Sequence, residues 1–375
     1  MARTRICFVL PSLSGGGAER AAVHILNNLD PDVWDRSMYL FRREGAYLDA
    51  VDSGIAIASG DTDSRLERWV RLRRFLRATR PQLIVAFLSY FSVLTAARAA
   101  RIGARVVFNQ QTPVSAFLTD ADYPWRRPWH RRAFALLARA GYGLADRIVA
   151  TSAGVAEDLV SRFGVGRDRI RVVHNPVDLD AIEAASAEPL DRTHDWLWSH
   201  PVIVAAGRLA DAKNYPLLLD AFALLRARMP SKLFILGEGD REAALHEQVA
   251  RLGLTGAVVF CGFQRNPWKY IARADVFALS SRYEGFGNVL VEAMACGVPV
   301  VATSSPGTRE IVTHGLDGLL VDVHEPAALA AALERLLSED ALRRRMSGDA
   351  RRRAQAFALP TIASAYGRVF AEVIA

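Results

Sequence analysis

Residues 280–303, SSRYEGFGNVLVEAMACGVPVVAT, decide how the rest of the chain is read. Residues 275–279, just before them, form a short apolar run of strand type that opens into a polar loop carrying Glu284, Gly285 and Gly287. Glycines there let the backbone come close to a ligand. Across residues 288–295, Val289, Leu290, Ala293 and Met294 recur at helical spacing, Gly297 stops the helix, and residues 299–302 begin a buried strand. The pattern predicts a helix N-terminus aimed into a cleft.

Such an N-terminus presents unpaired N–H groups and the positive end of a dipole, which suits an anion such as phosphate. Glu284 in the loop and Glu292 one to two turns into the helix flank that place. An ionised carboxylate only accepts hydrogen bonds, so neither glutamate suits phosphate, whereas each can hold neighbouring hydroxyls. Hydroxyls on both sides of a phosphate describe a nucleotide sugar.

The spacing Glu284-x7-Glu292 within EGFGNVLVEAMACGVPVV resembles the signature of the family-4 retaining glycosyltransferases. A glutamate pair alone at this spacing is usually a solvated face; the glycine loop and the Pro-Val-Val strand behind it carry the likeness. The resemblance implies an α/β chain of GT-B fold, with two facing Rossmann-like domains, parallel sheets and a cleft between them. It extends over nearly the whole chain, and its motifs concentrate in residues 205–321. With SLSGGGAER near the N-terminus, the chain is similar to transferases that build bacterial surface glycans on polyprenyl diphosphate lipids.

At 375 residues and 51% hydrophobic composition the chain can bury two ordinary cores. Cys7, Cys261 and Cys296 sit singly in apolar runs, which predicts a reducing compartment, no disulfide framework and no zinc site. Residues 6–10 are too short for a signal-peptide core, and no apolar run reaches a membrane-spanning length. The expected location is cytoplasmic, peripheral on the inner face of the plasma membrane. Of the net charge of +7, +6 falls on residues 1–190. Two segments there combine arginine with apolar residues. Residues 63–79 read as an amphipathic helix, with Leu66, Trp69 and Val70 among Arg65, Arg68, Arg71, Arg73, Arg74 and Arg77. A core helix with a solvated basic face and an interfacial helix on anionic lipid both satisfy that pattern. Residues 125–132 place Trp125 and Trp129 among four arginines, a composition selected by lipid headgroups. The anionic membrane surface expected as a partner is therefore assigned to 65–77 and 125–132. Nucleic acid is not expected, since no RNA- or DNA-binding module accompanies these arginines.

Read in order, residues 5–10, 83–87, 105–108, 147–150 and 171–173 are strands separated by helical segments, which predicts a parallel sheet covered on both faces. The loop after the first strand, 11–17, lacks the G-x-G-x-x-G of dinucleotide binding, so no NAD site is expected. The resemblance implies an acceptor-binding domain over 1–178, a nucleotide-sugar domain over 201–357 and a terminal helix at 358–375 of the kind that crosses back to the first domain in this fold, with residues 179–200 reading as a polar irregular linker. The second half restarts at 202–206 and runs into Gly207-Arg208-Leu209 and Lys213-Asn214, similar to a second family signature. Arg208 can fork onto phosphate oxygens and Lys213 can place a point charge beside them. The very arginine-rich helix at 339–357 reads as a solvated face.

The resemblance assigns Arg208, Lys213 and Glu284 to catalysis. It assigns Gly16, Gly17, Gly237, Glu238, Gly262, Phe263, Gly285, Phe286, Gly287, Asn288, Val289 and Glu292 to the donor, with Glu284 on the sugar and Glu292 on the ribose. Glu19 is placed on the acceptor side. There too stand Gln110 and Gln111, where many relatives carry a histidine. The expected reaction moves a hexose or N-acetylhexosamine from a nucleotide diphosphate sugar, UDP taken ahead of GDP, to a hydroxyl of a glycan or polyprenyl-diphosphate-linked acceptor. Configuration is retained through front-face attack, in which the leaving diphosphate takes the acceptor's proton. No cofactor or metal is expected, because arginine, lysine and a helix end cover the diphosphate. A nucleotide-sugar epimerase or hydrolase of the same fold, and a non-catalytic nucleotide-sugar-binding protein, are the alternatives.

Overall fold

The computed structural model of the protein describes residues 3–88, 90–119, 128–190 and 200–375. Among these, one compact unit runs from Arg3 to Val177 and takes back Leu359–Ala375, and the other holds Asp178–Ala358.

The first unit is built on β1 (Thr4–Leu10), β2 (Trp34–Leu40), β3 (Ala56–Ser59), β4 (Leu83–Phe87), β5 (Arg105–Gln110), β6 (Arg147–Ala150) and β7 (Ile170–Val172). They pair in the order β3-β2-β1-β4-β5-β6-β7, every pair parallel. Between them run α1 (Gly17–Asn27), α2 (Arg65–Thr79), α3 (Tyr90–Ala100), α4 (Ala116–Thr119), α5 (Pro128–Leu144) and α6 (Ala153–Phe163). Successive strand residues point to opposite faces, so both faces need apolar cover. Cys7, Val9, Ile84, Ala86, Val106 and Phe108 face one core with α2, α3, α5 and α6, while Ile6, Phe8, Leu10, Val85 and Val107 face another with α1. That second core is closed by the terminal helix, whose Tyr366 and Phe370 are fully buried in it. Phe370 packs edge-on to Phe8 with ring centroids 6.0 Å apart.

The second unit begins with α7 (Leu179–Ser186), where the sequence suggested an irregular linker. Asp178 explains the difference: its side chain accepts from the Ala181 N–H at 3.0 Å and caps the helix, and Ile182 is buried. Residues 191–199 lie outside the described residues. The sheet comprises β8 (Val202–Ala206), β9 (Lys232–Leu236), β10 (Val258–Phe260), β11 (Val276–Leu279), β12 (Val300–Thr303) and β13 (Gly318–Val321), in the order β10-β9-β8-β11-β12-β13, all parallel. Its helices are α8 (Tyr215–Arg226), α9 (Glu242–Arg251), α10 (Trp268–Ile271), α11 (Asn288–Ala295), α12 (Pro306–Ile311), α13 (Pro326–Ser338) and α14 (Asp340–Ala354), and α15 (Leu359–Ile374) returns to the first unit. Strand order reverses between β8 and β11, so the loops leaving their carboxyl ends part there and leave a crevice of the kind that holds ligands in such sheets.

Two expectations change. β5 runs through Gln110, so Asn109 and Gln110 belong to a buried strand and not to the loop that follows it. The arginines of α14 are not all solvated. Arg353 donates to the carbonyls of Ile311 (2.9 Å) and Glu310 (2.5 Å), and Arg351 to that of Cys296 (3.3 Å). Both therefore cover carbonyls at the C-terminal ends of α11 and α12, where cations are favoured.

Candidate active site

The loops after β8 and β11 are tied to each other. Ser280 Oγ donates to the Lys213 carbonyl (2.8 Å) and the Arg282 N–H to the Ala212 carbonyl (2.8 Å). Thr303, at the end of β12, donates to the Ser281 carbonyl from below (2.5 Å). This scaffold brings Lys213 Nζ to 2.6 Å from Glu284 Oε1, with both side chains mostly buried (23% and 13% exposed). Ser281 Oγ donates to the same oxygen at 2.6 Å. Two of the expected catalytic groups thus meet as an ion pair at the reversal of the sheet. Arg208, the third, is exposed one residue after Gly207, over which the Lys213 chain lies. Tyr215 supports this turn by donating to the Gly207 carbonyl (3.0 Å); burial pushes its phenol up, and the nearby Glu284 charge adds to the shift.

α11 starts where the loop pattern placed it. Gly287 caps it at φ 100°, a conformation glycine adopts freely and other residues resist. Asn288 and Val289 form its first turn, and Gly285 lies against Gly307 of α12, where a Cβ would stand 2.9 Å from the Gly285 carbonyl oxygen. Phe286 departs from the donor-binding expectation. Its ring is buried and packs edge-on to Phe357 at 5.2 Å, so it anchors the loop and leaves only its main chain to a ligand. Glu292 is 3% exposed, and Trp268 Nε1 donates to its Oε2 at 2.8 Å. Cys296 shares this neighbourhood; burial first and the Glu292 charge second push its thiol up to about 12.

The remaining donor-side residues form a compact turn. The Gly237 N–H donates to the Gly262 carbonyl (2.8 Å), and the Leu209 N–H to the Glu238 carbonyl (2.9 Å). A Cβ on Gly237 would stand 2.2 Å from the Gly207 carbonyl oxygen, so only glycine admits this approach. Glu238 Oε1 accepts from the Phe263 N–H (3.0 Å), leaving the Phe263 ring half exposed beside the turn.

In the first unit, Gly16 caps α1, Gly17 begins it, and the Glu19 carboxylate curls back over Gly16. Gln110 and Gln111 are buried and engaged within that unit. Gln110 Nε2 donates to the Thr112 carbonyl (2.6 Å) and its Oε1 accepts from Tyr142 (2.5 Å); Gln111 bonds Asn109 and exchanges hydrogen bonds with Asn175. Asn109 Nδ2 in turn donates to Tyr366 Oη of α15 (3.0 Å). Gln110 and Gln111, expected on the acceptor side, thus belong to a buried amide network. A cavity of about 470 Å³ bordered by Arg5, Arg80, Gln82 and Arg105 lies at the opposite, amino ends of β1, β4 and β5. Two of its arginines are engaged locally: Arg5 Nε donates to the Arg80 carbonyl at the C-cap of α2 (2.9 Å), and Arg105 pairs with Asp146 (3.1 Å).

Residues 15–181 match the family described as Glycosyltransferase Family 4, and residues 193–353 match Glycosyl transferases group 1. The chain belongs to these glycosyltransferases. Over 217 residues it is 36% identical to an N-acetylgalactosamine-N,N'-diacetylbacillosaminyl-diphospho-undecaprenol 4-alpha-N-acetylgalactosaminyltransferase of Campylobacter jejuni, covering 58% of this chain and 57% of that protein. It is 29% identical over 341 residues to the lipopolysaccharide core biosynthesis glycosyltransferase LpsE of Rhizobium meliloti, covering 88% of each chain. Anabaena Alr3699/HepE, solved in complex with UDP-glucose, superposes with a TM-score of 0.82 at 22% identity, covering 99% of this chain and 100% of the other. The glycosyltransferase therefore has the GT-B fold.

Sequence reasoning overlooked Trp268 and Ser281, because each acts through a glutamate that folding, and not spacing, brings to it. In the basic segments of the glycosyltransferase, α2 turns its Trp69 indole to Thr95 (3.0 Å), and Arg71 and Arg73 donate to the Gly60 (2.7 Å) and Ala99 (3.1 Å) carbonyls. Trp125, Arg126 and Arg127 lie outside the described residues. Among the described residues no helix is long and apolar enough to cross a membrane, and no three His, Cys, Asp or Glu side chains gather as a metal-ligand set.

Proposed function

We propose that the protein transfers a hexose or N-acetylhexosamine from a UDP-sugar to a hydroxyl of a glycan or polyprenyl-diphosphate-linked acceptor, with retention of configuration. The observation that carries this reading is the pair of Lys213 and Glu284, 2.6 Å apart where the strand order of the second sheet reverses. Arg208 and Lys213 supply cations for the diphosphate, and the N–H groups at Gly287, Asn288 and Val289 add the helix end. Glu284 receives the sugar hydroxyls and Glu292 the ribose. The acceptor oxygen bonds to the anomeric carbon as its bond to the diphosphate breaks, and the acceptor's proton passes to the departing phosphate oxygen on the same face. No metal is required where fixed cations meet the growing charge. The relatives named above act on an undecaprenyl-diphosphate-linked sugar and in lipopolysaccharide core synthesis, which supports an acceptor carried at a membrane. The UDP-glucose complex of Alr3699/HepE supports UDP as the nucleotide.

The test is UDP and GDP release from hexose and N-acetylhexosamine donors, with lipid-linked and free sugar acceptors, and product configuration by NMR. Acceptor-dependent UDP release with the donor's anomeric configuration preserved is expected. Release at an equal rate without acceptor would make the protein a hydrolase, and an inverted product would overturn the front-face step.

A further inference from the structure

We propose that the outward face of α5 is the surface by which the protein lies on an anionic lipid bilayer, its leucines entering the headgroup boundary and its arginines meeting lipid phosphates. Leu136, Leu137 and Leu144 are 69%, 66% and 59% exposed, on a helix whose opposite side, Ala138, Gly141 and Tyr142, is buried. At 3.6 residues per turn, Ala133, Leu136, Leu137, Ala140 and Leu144 form one outward stripe, and Arg132 and Arg139 run along its flank. Two further exposed apolar side chains stand at the start of α3 and just before it. Phe91, partly exposed, packs against Gly141, where a Cβ would collide with its ring, and Leu88 stands exposed before it. This arrangement inverts the usual one, in which a surface helix turns its polar side outward.

Charge selects the occupant. Residues 128–144 contain Arg131, Arg132 and Arg139 and no acidic residue. At the end of α5, Arg98 donates to the Leu144 carbonyl (3.2 Å) and Arg169 to the Gly143 carbonyl (2.5 Å), adding two exposed cations. Two acids near α5 are engaged: Asp146 pairs with Arg105 (3.1 Å) and Asp158 with Arg162 (3.4 Å). An apolar stripe bordered by arginine without interspersed carboxylates is the chemistry of an interfacial helix on anionic lipid. The face differs from α2, where only Leu66 among the large apolar side chains points outward while Trp69 and Arg73 are engaged with α3.

The inference rests on the membrane-borne acceptor read above but fails separately, since its assay contains neither donor nor acceptor. The full chain is floated with phosphatidylcholine vesicles with and without phosphatidylglycerol. Binding to the anionic vesicles, weakening with salt, is expected. The double substitution Leu136→Glu and Leu137→Glu should lower it about tenfold or more while transfer to a soluble acceptor persists. Leu144→Gln, a milder change at the end of the same stripe, should lower it less, and it decides the matter if the double variant does not fold. Parent-like flotation of the folded leucine variants, or no flotation of the parent on anionic vesicles, overturns the proposal. So does a parent dimer that the leucine variants dissolve without any vesicle binding, which would give the face to a second copy of the chain.

Discussion

Lys213 is one of three lysines in the chain, and its Nζ lies 2.6 Å from a carboxylate that is itself held by Ser281. A structural ion pair would need neither the glycine turn beneath it nor the helix start beside it. On the proposed reading Lys213 strengthens its grip as charge gathers on the leaving phosphate, and a charged hydrogen bond of about 1.5–3 kcal/mol corresponds to a factor of about ten to a hundred in rate. Lys213→Ala should lower kcat by that factor in a UDP-release assay of the folded variant; unchanged turnover would remove Lys213 from catalysis. Trp268 makes a finer test. Its indole N–H holds Oε2 of the buried Glu292, so Trp268→Phe frees the carboxylate to turn away from the ribose. The expected outcome is a rise of about tenfold in KM for the UDP-sugar with kcat little changed. With a 2'-deoxyribose donor the parent and the variant should converge, whereas a purely structural role would penalise both donors alike.

The elements show where reading the chain worked and where it ran out. Runs such as Leu83–Phe87 and Arg147–Ala150 stand out because a strand covered on both faces is apolar at nearly every position, and their bounds match the sequence reading to the residue. α11 was equally legible, since Gly287 and Gly297 bracket an apolar helical period. The failures have a common cause. α7 is only eight residues long, and its cap, Asp178, resembles any loop aspartate until Ile182 is seen buried. Gln110 and Gln111 were placed on the acceptor side from the family resemblance alone, and the sequence held no sign of what they bond. Their partners Tyr142, Asn109 and Asn175 are set by tertiary packing, and the network reaches Tyr366 more than two hundred residues away. That network and the aromatic cluster around Phe370 make α15 part of the first unit's core. Phe370→Ala, which empties a fully buried site between Phe8 and Trp34, should cost about 3–5 kcal/mol of stability in denaturant titration. A loss under about 1 kcal/mol would mean that α15 is only loosely docked.

At the scale of the whole molecule, the parallel sheets and the family were within reach of the sequence, because glycine-bearing loops follow β1, β8 and β11, whereas β2, β3 and the strand orders emerge only in the structure. What composition could not settle is how the cations are divided. Most of the net charge belongs to the first half, where Arg71, Arg73, Arg98 and Arg169 cover backbone carbonyls, while the second half is almost neutral yet carries Arg208 in the loop after β8 and Lys213 paired with Glu284. That placement has a consequence for metal dependence. A divalent ion would serve the diphosphate by neutralising charge, and it would need oxygen or nitrogen ligands gathered near Glu284. Glu284 Oε1 is instead taken by Lys213 and Ser281. The protein should therefore keep its turnover after dialysis against EDTA, with magnesium or manganese changing the rate by less than about twofold, within the range of weak surface and ionic-strength effects. A strict need for either ion would show that the diphosphate's charge is met by metal, and would move Lys213 from neutralising the leaving group to orienting Glu284.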